Sequence, residues 1–156
     1  MATIAIAAAL GVCWSTFFMS GQNVAAESLK ALRARAYQGV AEAQFNLGVM
    51  HDNGRGVARD YAEAARWLRK AADQGFARAQ CMLGLKYYDG QGATQDYVQS
   101  YMWMNLAASR ANGDDQKEFA KWRDFVAKKM SPQQISVARR QAAQWKPKTE
   151  AGNVAK

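Results

Sequence analysis

The chain has 156 residues, a net charge of +8 from 21 Lys and Arg against 13 Asp and Glu, a single His and two Cys. That length suits one domain. Two cysteines cannot form a disulfide framework, and one His with two Cys falls short of the three or four clustered N and S ligands that zinc needs.

No Lys, Arg, Asp or Glu precedes Glu27. Thr3 to Val12 is apolar, and Trp14, Phe17, Phe18 and Met19 follow. Val24-Ala25-Ala26 supplies small residues where a signal peptidase would cut, after Ala26. Residues 1–26 therefore read as a signal peptide, with only the α-amino group to charge its n-region; a translation start placed too late accounts for that. The alternative is an uncleaved membrane anchor. A span needs about 20 apolar residues, and Ser15, Thr16, Ser20, Gln22 and Asn23 interrupt this run. Leu10-Gly11-Val12-Cys13 has the outline of a lipobox, but Val12 is large where such a signal takes Gly, Ala or Ser.

The body of the chain repeats. Residues 41–76 recur as 77–112, a shift of 36, with twelve identities, among them Gln44/Gln80, Leu47/Leu83, Gly48/Gly84, Gly54/Gly90, Asp60/Asp96 and Trp67/Trp103. Each copy reads as two helices around a glycine loop. In the first helix, Ala43, Leu47, Met50 and His51 share one face, and mid-helix Gly48 and Gly84 predict close approach of another helix, since glycine there costs about 1 kcal/mol. Asn53-Gly54-Arg55-Gly56 and Asp89-Gly90-Gln91-Gly92 turn the chain back. Asp60 and Asp96 start the second helix, with Glu63 and Gln99 placed to complete capping boxes. Tyr61, Ala64, Leu68, Ala71 and Ala72 form its inner stripe, with Trp67 beside it. Residues 27–40 carry the same second-helix pattern: Leu32, Ala36, Gln38 and Gly39 fall on Leu68, Ala72, Gln74 and Gly75. They predict a capping helix.

Such hairpins bury their apolar faces only by stacking. The AEAQFNLG start, the GxG loop, the DYAEAARWLRKAADQG second helix and the 36-residue period together resemble the Sel1-like repeat (SLR) family, relatives of the tetratricopeptide repeat. The resemblance implies an all-α fold: a short right-handed α-solenoid of antiparallel helical hairpins, two full SLR units plus capping helices. It also implies a non-catalytic adaptor or scaffold.

After Gly113 the repeat decays into a divergent closing hairpin, residues 113–146. Asp114 and Asp115 favour a helix start, and Phe119, Trp122 and Val126 mark its face. Ser131, Pro132 and Gln134 make a capping box with proline at the first helical position, and Ile135, Ala138, Ala142 and Trp145 continue the apolar spacing. Residues 147–156 read as a frayed, flexible tail. Residues 27–109 hold ten basic and eight acidic side chains, whereas 110–156 hold eleven and five, so the basic excess lies on the last hairpin and tail.

Chemistry is sparse. With the leader removed, Cys81 stands alone; taking the place of Phe45, it is expected to be partly exposed. His51 replaces Tyr87 of the second copy and reads as packing. No nucleophile elbow or phosphate-binding loop follows a strand, so no catalytic residue, metal or cofactor is expected, and no nucleic-acid fingerprint is present. Carried over from the tetratricopeptide relatives, the groove-lining positions are Glu42, Phe45, Val49 and Asp52, then Arg78, Cys81, Leu85 and Tyr88; the spacing puts each set on one helix face. They suit an extended peptide or a partner helix. The expected function is a protein-interaction module, periplasmic or secreted if the leader is cleaved and membrane-anchored otherwise. The alternatives are a secreted hydrolase acting on cell-wall or β-lactam substrates, an activity raised for some secreted members of that family, and binding of an anionic envelope surface by the basic closing hairpin.

Overall fold

The computed structural model describes residues 29–148. The leader, Glu27, and the tail beyond Lys148 lie outside the described residues. Among the described residues seven helices follow one another: α1 Leu29–Tyr37, α2 Ala41–Asn53, α3 Tyr61–Asp73, α4 Ala77–Asp89, α5 Tyr97–Arg110, α6 Gly113–Ala127 and α7 Pro132–Gln144. No strand occurs among the described residues. The fold is the expected α-solenoid of hairpins.

Local chemistry places the helix ends. α2 and α4 stop at Gly54 and Gly90, both left-handed, with φ of 67° and 71°. Such a φ suits a residue without a Cβ. α3 and α5 start where Asp60 and Asp96 each accept two backbone amides. The reciprocal half of those two capping boxes does not form. The cap residue's own N–H is already donated to the end of the preceding helix, Asp60 to the His51 carbonyl and Asp96 to the Tyr87 carbonyl. Glu63 turns instead to Arg66, and Gln99 to Gln141. At α7 that amide has no such acceptor, and the full box forms between Ser131 and Gln134, behind Pro132.

The hairpins share a continuous interior. A Cβ built on Gly48 would lie 3.0 Å from Leu68 Cγ, and one on Gly84 would lie 2.8 Å from Met104 Cγ and 3.1 Å from the Ser100 carbonyl oxygen. The recurring glycine is therefore where paired helices touch. Leu32, Ala36, Ala43, Leu47 and Trp67 form the first core cluster, which joins α1 to α2 and α3. Leu68, Leu83, Tyr101, Trp103, Met104, Val126 and Ala138 belong to the main cluster.

Two identical glutamines tie the units together. Buried Gln44 donates to the Ala36 carbonyl, and buried Gln80 to the Ala72 carbonyl. Each adds a side-chain donor at the carboxyl end of the preceding helix, to a carbonyl that also accepts the amide of Gly39 or Gly75.

The end of the chain departs from the repeat. α6 and α7 both pack on α5 and meet each other only sparingly. Trp145 lies edge-on to Trp103, and the Arg110 guanidinium covers its other side, 4.5 Å from the ring centre. Lys148 contacts the end of α3: its N–H donates to the Asp73 carbonyl at 2.7 Å, and its ammonium lies 3.1 Å from the Asp73 carboxylate.

Candidate functional site

The eight groove positions divide by rung and by burial. On α2, Glu42 is exposed, Val49 and Asp52 are half-buried, and Phe45 is in the core at 2% exposure. On α4, Arg78, Leu85 and Tyr88 are half-buried and Cys81 is fully buried. The expected exposure of Cys81 is thus corrected. The cause is the same in both copies: this position points into the packed interior, Phe45 against Phe76 with ring centres 5.2 Å apart, and Cys81 into a cluster with Ala107, Ala108 and Phe119. Neither side chain is available to a partner.

Other members of the set join neighbouring hairpins. Asp52 of α2 forms an ion pair with Lys86 of α4, and both side chains are nearly enclosed. The Lys86 ammonium also sits 4.8 Å from the centre of the Tyr61 ring, a favourable cation–π position. Arg78 reaches Asp115 of α6 at 3.2 Å. Tyr88 meets Tyr97 at 5.5 Å and Phe125 at 5.6 Å. Glu42, Val49 and Leu85 remain as the side chains of this set that reach solvent without a cross-unit polar or ring contact of this kind. Val49 and Leu85 occupy the same repeat position, and both pack against the main core cluster.

Lys86 is the participant that the sequence reading misses. Its signal was visible: a lysine stands where the first copy has Met50, on a helix whose neighbour carries Asp52. Charge shapes the loop end of the face. Desolvation holds the Asp89 carboxyl above the usual carboxylate range, against the pull of Lys86 and with a push from Asp52. Burial, with Tyr97 and Asp89 adding, holds the Tyr88 hydroxyl above the usual phenol range. The opposite holds at Asp60, whose carboxyl is held low chiefly by accepting the Glu63 amide. Among the described residues, no three His, Cys, Asp or Glu side chains come together in a group able to hold a metal ion, and no helix is long and apolar enough to cross a membrane. What the arrangement offers a partner is a mixed apolar and charged helical face.

The family model described as Sel1 repeat matches residues 41–76 and 77–112. Among solved structures, the chain is similar to c5321, a protective antigen present in uropathogenic Escherichia coli strains that displays an SLR fold. The identity is 37% and the TM-score 0.69, over 74% of this chain and 24% of that one. It is also similar to a Sel1 repeat protein from Oxalobacter formigenes, with 28% identity and a TM-score of 0.51 over 75% of this chain and 98% of that one. The chain therefore spans about a quarter of the length of the first of these. No curated protein matches.

Proposed function

The chain carries two Sel1 repeats, units that generally mediate protein–protein interaction, and on that premise we propose that it is a non-catalytic interaction module of a bacterial-type cell envelope, holding a peptide or partner helix on the α2–α4 face. The observation that supports this most is the pairing of Val49 and Leu85. These are apolar side chains at one repeat position on α2 and α4, both half-buried at the edge of the main core cluster, with Glu42 exposed. An amphipathic segment lying across the two helices would cover both and place a cation by Glu42.

The test is capture of a partner from an envelope fraction. The wild-type chain is expected to retain one stoichiometric protein, and Glu42→Arg with Leu85→Gln to lose it while circular dichroism stays unchanged. Retention by the double variant contradicts the proposed face. The export half of the proposal rests on residues 1–26. Mass spectrometry of the mature protein is expected to find Glu27 at the amino terminus, and an intact Met1 would contradict cleavage.

A further inference from the structure

The carboxyl end of α6 carries a surface that the α2–α4 face does not use. Phe125 is 41% exposed, although its ring is part of a run of four: Trp122 to Phe125 at 5.9 Å, Phe125 to Tyr88 at 5.6 Å and Tyr88 to Tyr97 at 5.5 Å. Three helices thus supply one aromatic strip, and Phe125 within it is open to solvent. Three and four residues beyond Phe125 stand Lys128 and Lys129, both exposed. They stand at the carboxyl cap of α6 and in the turn that follows it.

Their charge is uncompensated. The four acids of α6 are all engaged: Asp114 with Lys117, Asp115 with Arg78, Glu118 with Lys121 and Asp124 with Arg123. Lys128 and Lys129 make no ion pair among the described residues. A helix carboxyl end tolerates cations through its dipole. That accounts for lysines there, but not for an open aromatic ring beside them.

We infer that Phe125, Lys128 and Lys129 form a second docking surface, for an acidic peptide segment carrying one aromatic or aliphatic anchor. The anchor would stack on Phe125 and extend the strip, and flanking carboxylates would meet the two ammonium groups. The inference shares with the proposed function only the class of partner; its site is separate.

A synthetic peptide of glutamates flanking a single tryptophan tests it, by calorimetry and by amide NMR shifts on the full chain. Shifts centred on Trp122, Phe125, Lys128 and Lys129 are expected. Phe125→Ser is expected to weaken binding about tenfold, as loss of an anchor does, and Lys128→Glu with Lys129→Glu about tenfold again, with affinity falling as salt rises. All three side chains are exposed, so circular dichroism should be unchanged in both variants. Absence of binding overturns the inference. Shifts confined to Glu42, Val49 and Leu85 also overturn it, while leaving the α2–α4 reading in place. Tight binding to phosphatidylglycerol vesicles that is lost on charge reversal but indifferent to Phe125→Ser would assign the surface to lipid, and would overturn it too.

Discussion

The two repeats use one frame and fill it differently. Asp52 and Tyr88 hold the same repeat position, and each reaches forward to the next unit. Asp52 does so as an ion pair with Lys86, Tyr88 as a ring contact with Phe125. The glutamines diverge in a parallel way. Gln44 donates to Ala36 and accepts from Gln74, whose amide also reaches the Gly39 carbonyl. Gln80 donates to Ala72 but its oxygen is buried without a partner. The second copy has Arg110 where the first has Gln74. Arg110 lies over Gly75, the counterpart of Gly39, with its guanidinium turned to Trp145. Positions identical in both copies hold the frame, and positions that differ adapt each junction to the neighbouring unit.

The sharpest way to break that contrast is Lys86→Met, which gives the second repeat the residue of the first. It leaves the Asp52 carboxylate nearly enclosed without its cation. Equilibrium denaturation is expected to show a loss of about 2–3 kcal/mol, below the full penalty for breaking a buried pair because Asp52 keeps some solvent. Adding Asp52→Leu should restore most of it. If the single variant is neutral, the ion pair does not hold the junction.

The glutamines give a smaller, asymmetric effect. Gln44→Leu removes one of two donors to the Ala36 carbonyl and a partner of Gln74, and is expected to cost about 2 kcal/mol. Gln80→Leu removes one donor to the Ala72 carbonyl, which keeps the Gly75 amide, together with an orphaned oxygen, and is expected to cost less than about 1 kcal/mol. Equal losses in paired denaturation curves would mean that the Gln74 contact contributes nothing.

Smallest is the pH dependence at the helix starts. The Asp60 carboxyl is held below its ordinary value in the fold, so its contribution is present above the unfolded pKa and lost as pH falls through the lower folded one. Asp89 is raised, so its contribution has the opposite sign: present below the unfolded pKa and lost as pH rises through the folded one. Asp60→Ala should therefore lower the melting temperature near neutrality, and the gap to wild type should narrow on acidification. A gap that does not change with pH would show that the cap does not work through its charge.

Much of the frame was legible because its signals are local. Gly54 and Gly90 mark turns, Asp60 and Asp96 mark helix starts, and Ser131-Pro132 marks another. Gly48 and Gly84 announce a close helix contact by being costly and repeated. What escaped depends on the neighbouring unit. Phe45 and Cys81 sit on the face that lines a groove in the tetratricopeptide relatives, but here they are buried in the packed interior. The missing halves of two capping boxes result from amides already committed to His51 and Tyr87, which no single segment reveals. Lys86 and Lys148 find Asp52 and Asp73 across the stack, at separations that local pattern does not encode.

The most direct test of the interaction account is site-specific photocrosslinking in the producing cell, with a benzophenone amino acid placed at Glu42, at Leu85 and, as a control, at exposed Arg66 on α3. One discrete adduct from the first two positions and none from Arg66 is the expected result. The same adducts from all three positions, or none from Glu42 and Leu85, would contradict it.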